Sequence, residues 1–204
     1  MKRLLGAAAL ALLAVSLVAC SGKARVRQPA ELVKVSNQFD LVPVWSVSIG
    51  SSEPFNFHPA VVGDAVYAAS RLGSLRKIDL QSGKTVWNVT VPEKLIIGPG
   101  SDGKVTAVVT TEGDVLAYDD TGKNIWKYHI GSEVLTAPVV AAGVVVIRGL
   151  DNRFVGLDAA TGKRRWIYQR QQSALSLRVG YGMLSIGNEV IVTGFAGGRF
   201  GMIG

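Results

Sequence analysis

A single cysteine, Cys20, occurs in 204 residues, so no disulfide can close within the chain. The two histidines, His58 and His129, stand alone, without metal-ligand spacing and without a nearby nucleophile. Ser173 and Ser176 likewise have no partner histidine. A Ca²⁺ site needs several oxygens converging on one point, whereas Asp151, Asp158 and the other turn aspartates are dispersed along the chain. Beyond residue 20 no stretch holds a 3.6-residue apolar period over three or more turns, which argues against a helical fold. Basic residues outnumber acidic ones, 22 to 15, but they are scattered and form no nucleic-acid-binding motif. These absences leave no support for catalysis, a metal, an organic cofactor or a nucleic-acid partner.

What the chain does contain is a repeat. Four tryptophans, Trp45, Trp87, Trp126 and Trp166, stand 42, 39 and 40 residues apart. Before each of the last three comes the same phrase: an aspartate, a Ser/Thr-Gly turn and a lysine. It reads Asp79 to Gly83 before Trp87, Asp119 to Gly122 before Trp126 (one residue shorter), and Asp158 to Gly162 before Trp166. Upstream lie β-branched runs broken by glycine turns, such as Val61–Ala68 and Val139–Val146, with Gly187–Val192 matching the later part. A further turn carries Gly73 and Gly113, with Asn152 in the third copy; glycine and asparagine both tolerate positive φ. Units of about 40 residues built from four strands are blades of a β-propeller. The expected fold is therefore all-β, with residues 41–204 holding about three blades and the start of the next. Each aspartate is expected to bind backbone N–H groups of its turn, and each tryptophan to fill the space between neighbouring blades. Pro59, Pro99 and Pro138 recur at similar spacing before strands and read as structural. Arg148, Arg153, Arg164 and Arg165 could face an anionic ligand, but a solvated blade edge accounts for them better.

The start of the chain has a different character. Met1-Lys2-Arg3 is a positive n-region, and Leu4 to Val18 an apolar stretch too short for a good membrane span. Leu17-Val18-Ala19-Cys20 resembles the lipobox of bacterial lipoproteins, which implies cleavage before Cys20 and lipidation of its thiol. Residues 1–19 are then a signal peptide and residues 20–40 a tether, with Glu31-Leu32-Val33 able to dock as an edge strand. Ser21 after the cysteine, where aspartate would favour the inner membrane, implies the outer membrane. Loss of Lys2 and Arg3 lowers the side-chain charge from +7 to +5, an excess suited to anionic headgroups.

Lipobox, basic tether and three Asp-to-Trp turns together resemble the BamB family of outer-membrane protein assembly factors, whose blades use the repeat of quinoprotein (PQQ) dehydrogenases. The resemblance implies a non-catalytic lipoprotein, anchored in the outer membrane and facing the periplasm. Its partners would be BamA, through the POTRA domains, and the rest of the BAM complex. Exposed strand edges could also receive unfolded outer-membrane chains. In the family a Leu-x-Leu-Arg segment helps contact BamA; here Leu175, Leu177 and Arg178 match it. In an extended segment both leucines point to one side. The alternative for Leu175-Ser176-Leu177 is the first strand of the next blade, facing the core. Other whole-protein readings are a PQQ-dependent dehydrogenase and an anchored propeller with some other ligand, although the sole cysteine removes the adjacent pair many such enzymes carry. Family propellers have eight blades, more than roughly 300 residues at this repeat length. The chain is thus expected to be about the first half of a longer propeller, a truncated or split product. Self-association into a ring and a four-bladed closure are the alternatives.

Overall fold

The computed structural model describes residues 29–32, 39, 41–171, 182–187 and 189–203. The chain divides into two units, Met1–Val42 and Pro43–Gly204. In the first, Glu31 and Leu32 lie in no strand and Leu32 is fully exposed, so these two residues do not form the expected edge strand; Val33 lies outside the described residues.

The second unit is an array of antiparallel sheets. The first is β1 (Ala60–Val62), β2 (Ala65–Ala69), β3 (Ser74–Asp79) and β4 (Thr85–Thr90). The second is β5 (Leu95–Ser101), β6 (Thr106–Thr110), β7 (Asp114–Tyr118) and β8 (Asn124–His129). The third is β9 (Val139–Ala141), β10 (Val144–Arg148), β11 (Arg153–Asp158) and β12 (Arg164–Gln169). The fourth has three strands, β13 (Met183–Ile186), β14 (Val190–Phe195) and β15 (Arg199–Ile203). In every sheet each strand pairs with the next in sequence, so each is a meander, and among the described residues there is no helix.

Local chemistry sets these meanders. Gly73, Gly113 and Asn152 open the third strand of their sheets at φ of 90°, 82° and 59°, so asparagine does adopt the left-handed geometry of its glycine counterparts. Ala142 and Gly143, at φ of 50° and 72°, form the two-residue turn between β9 and β10. Burial explains the sequence pattern. The second strands β2 and β6 are buried along their whole length: the second sheet lies between the first and third, and the first lies between the second sheet and residues 45–49. Apolar clusters fill every junction: one joins the first and second sheets (Leu75, Val91, Leu95, Val108), one the second and third (Val109, Val115, Trp126, Val145, Leu157). A third joins the third and fourth sheets through Val146, Phe154, Ile191 and Phe195. Pro59 and Pro138 precede strands as expected, whereas Pro99 lies inside β5.

Candidate functional site

The repeated turn is an interlocking device. In each copy the aspartate N–H donates to the lysine carbonyl, at 2.8 Å for Asp79–Lys84, 2.9 Å for Asp119–Lys123 and 2.8 Å for Asp158–Lys163. The shorter second turn therefore closes in the same way. The carboxylate faces inward: Asp79 Oδ1 accepts from the Ser82 N–H at 2.8 Å and its hydroxyl at 2.6 Å. Asp119 Oδ1 accepts from the N–H groups of Thr121 and Lys123 and from the Thr121 hydroxyl. Asp158 Oδ1 accepts from Ala160, Thr161 and the Thr161 hydroxyl, while its Oδ2 receives the Arg165 guanidinium at 2.6 Å. Thus all three carboxylates are committed to their own turns.

Trp45, Trp87 and Trp126 each reach forward onto the turn of the next sheet. The indole N–H of Trp45 donates to the Leu80 carbonyl at 2.9 Å, that of Trp87 to Asp120 at 2.9 Å, and that of Trp126 to Ala159 at 2.8 Å. The turn glycines Gly83, Gly122 and Gly162 lie against the faces of Trp45, Trp87 and Trp126, where a Cβ would meet ring carbons at 2.7, 3.1 and 2.7 Å. A register shift in the strand pairing beside Trp87, Trp126 and Trp166 leaves Val86, Ile125 and Arg165 without a ladder partner. Such bulges re-aim a neighbouring side chain.

Hydrogen bonding holds these carboxylates ionised. The Ser82 hydroxyl lowers the pKa of Asp79, and the Thr121 hydroxyl that of Asp119. Arg165, followed by the Thr161 hydroxyl, pulls Asp158 down from 3.8 to about 2. A carboxylate depressed on folding adds stability above its unfolded value, and that contribution disappears as pH falls through the folded value. The thermal midpoint is therefore expected to fall between pH values of about 4 and 2, with a shallower fall in Asp158→Asn. Matching acid limbs in the two proteins would show that the Asp158 turn carries no such linkage.

The sequence-derived partner residues Leu175, Leu177 and Arg178 lie outside the described residues, as does Cys20. Their flanks are described. Arg170 donates its N–H to the Asn152 carbonyl at 3.3 Å and lays its guanidinium 4.3 Å over the Phe195 ring. With Gln171, Asn152, Phe195 and Arg199 it lines a depression of about 220 Å³, so two guanidinium groups stand where the segment begins. Beyond its far end, β13 is the first described strand of the fourth sheet.

Arg148 is not on a solvated edge, contrary to the sequence expectation. It is 4 % exposed, donates to Thr193 Oγ1 at 2.8 Å, the Gly194 carbonyl at 2.7 Å and Asn152 Oδ1 at 2.8 Å, and lies 5.1 Å from the Phe154 and Phe195 rings. It joins the third and fourth sheets. The third repeat places arginine where the first two have Ala69 and Val109, opposite the second residue of the third strand, and that departure was the available signal. Arg165 pairs with Asp158, and Arg153 with Asp151 at 3.4 Å.

Four-stranded meanders locked by a tryptophan on the following turn define a partial β-propeller of the PQQ-repeat type. The family model for outer membrane protein assembly factor BamB matches residues 71–203, and the chain belongs to that family. The BamB of Bordetella pertussis (strain Tohama I) is 40% identical over 172 residues, covering 84% of this chain and 44% of the relative. That of Burkholderia pseudomallei is 35% identical over 199 residues, covering 97% and 52%. The chain thus spans about half the length of these curated relatives. The crystal structure of BamB from Moraxella catarrhalis superposes with a TM-score of 0.63 at 24% identity, over 72% of this chain and 45% of that one. A europium-containing methanol dehydrogenase also shares the fold, with a TM-score of 0.52 at 24% identity over 63% of this chain and 27% of that one.

Proposed function

We propose that the chain is a non-catalytic scaffold of the β-barrel assembly machinery, held at the periplasmic face of the outer membrane by a lipid on Cys20. Residues 1–19 act as the signal, residues 20–40 as the tether, and Leu175, Leu177 and Arg178 dock on the POTRA domains of BamA. The observation that carries this reading is the family match over residues 71–203. One structural feature supports the docking segment: Arg170 and Arg199 add positive charge beside it for an acidic partner surface. The commitment of Asp79, Asp119 and Asp158 to turn hydrogen bonds favours a scaffold over a dehydrogenase, which needs carboxylates free to face a cofactor. Strand edges that receive unfolded barrel chains would be a second activity of the same scaffold.

Arg178→Glu tests the assignment. Reversing a charge in a small apolar-plus-arginine contact is expected to weaken co-purification with BamA about tenfold or more, at an unchanged thermal midpoint. Wild-type recovery of BamA by the variant would remove Arg178 from the interface.

A further inference from the structure

The joint between the third and fourth sheets has gained cations where the other joints are apolar. The N–H groups of Val91, Ile130 and Arg170 donate in turn to the carbonyls of Gly73, Gly113 and Asn152, so the three residues hold one position in the repeat. Val91 and Ile130 are buried there, whereas Arg170 is half-buried and lays its guanidinium 4.3 Å from the centre of the Phe195 ring. Arg148 lies 5.1 Å from the same ring. Arg199 faces Phe195 in the ladder between β14 and β15, and with Arg170 it lines the depression of about 220 Å³.

The third sheet shows what such an arginine takes. Arg153 opens β11 as Arg199 opens β15, and the ladders align them, Arg148↔Phe154 matching Gly194↔Phe200. Arg153 is answered within its own repeat: Nε lies 3.4 Å from Asp151 Oδ2, and the guanidinium donates to the Ile130 carbonyl at 3.0 Å. In the fourth sheet Gly197 stands at the position of Asp151, and Arg170 at that of Ile130. The arginine is kept, its carboxylate is gone, and a second guanidinium has been added. Nothing near restores the balance. Residues 172–181 hold Arg178 and no acid. From Ala159 to Gly204 the sequence has one acid, Glu189, which lines a separate depression with Trp166 and Ile203. Neither Arg170 nor Arg199 makes an ion pair among the described residues.

We propose that this depression seats one carboxylate of the partner protein, an aspartate or glutamate side chain gripped between Arg170 and Arg199. It takes the place that Asp151 fills in the third sheet. The inference rests on the docking reading above and names the chemical group that the surface receives. Two guanidinium groups facing one depression attract an anion and repel a cation. A planar carboxylate matches the guanidinium fork, and Asp151 against Arg153 is the internal example. Phe195 carries both Arg148 and Arg170 on its ring, so the Arg170 head group is held in place before the partner arrives.

The probe is the purified POTRA region of BamA, titrated into the mature chain with Cys20→Ser so that no lipid interferes. Arg170→Gln and Arg199→Gln are each expected to weaken binding about tenfold and to flatten its dependence on salt. Gly197→Asp is expected to weaken it as well while leaving both arginines in place, because it returns a carboxylate to the position of Asp151. A Cβ at Gly197 meets nothing within 4 Å, and aspartate before glycine suits a turn with positive φ at both residues. Thermal midpoints for Arg199→Gln and Gly197→Asp are expected to match the parent. Arg199→Lys keeps the charge and supplies an amine, so zero-length carbodiimide coupling is expected to join residue 199 to an aspartate or glutamate of the partner. Binding that Arg178→Glu weakens but none of these three substitutions does would overturn the carboxylate seat and leave the docking reading standing. So would an Arg199→Lys complex that forms but couples at residue 199 to no acid of the partner. A parent chain that fails to bind the POTRA region would remove the docking reading and this contact with it.

Discussion

Trp126→Ala is expected to destabilise the Pro43–Gly204 unit by about 3–5 kcal/mol, the range for truncating a large buried aromatic. Trp126 is 8 % exposed, packs in the cluster joining the second and third sheets, and covers Gly162 of the following turn. Its indole N–H also satisfies the Ala159 carbonyl, so truncation removes packing and leaves an acceptor unpaired. Trp126→Phe retains most of the ring and is expected to recover all but about 1–2 kcal/mol. Trp166 supplies the comparison. It is half-buried, and among the described residues no turn glycine lies on it, so Trp166→Ala should cost clearly less than Trp126→Ala. Urea unfolding of the three variants decides the matter. Equal losses for Trp126→Ala and Trp166→Ala would show that the forward interlock contributes nothing beyond packing within the sheet.

Gly100→Ala is the second large effect, expected to cost about 3 kcal/mol. A Cβ on Gly100 would overlap the carbonyl oxygen of Pro138, at the entry to the third sheet, and would stand 2.7 Å from its carbonyl carbon. Backbone cannot swing aside as a side chain can, so the innermost strands of the second and third sheets must separate. Gly98 meets the backbone of His58 in the same way toward the first sheet. At Gly182 a Cβ would meet no heavy atom within 4 Å among the described residues, so Gly182→Ala should lie within about 0.5 kcal/mol of the parent. If both alanine variants unfold at the same urea concentration, close backbone approach is not what requires glycine at position 100.

The repeat was legible because it is local. The spacing of the tryptophans, the Asp-to-Gly turns and the β-branched runs dictated four-strand units with their turn hydrogen bonds, and the interchange of Gly73, Gly113 and Asn152 predicted the positive φ found at all three. Those features depend on backbone conformation and contacts within a few residues, which the side chains themselves specify. The partner residues Leu175, Leu177 and Arg178 rested on family resemblance instead, since nothing in their own spacing separates a docking loop from a core strand, and they lie outside the described residues.

Tertiary structure alone decided how the units meet. It sends Trp45, Trp87 and Trp126 onto the turn of the following sheet, and a bulge lies beside the tryptophan of each complete sheet, Trp87, Trp126 and Trp166. It buries Arg148 between the third and fourth sheets, where a chain of charges along a strand had read as a wet edge. It places Pro138 on Gly100, and it packs Trp45, Val47 and Ile49 on Val66, Ala68 and Ile78 of the first sheet. The physical reason is common to all of these: a β-sheet side chain has two faces to choose from by pattern, but which surface covers that face depends on residues about 40 positions away. The sequence determined the blades and their turns; the packing of one blade on another determined which residues are joints.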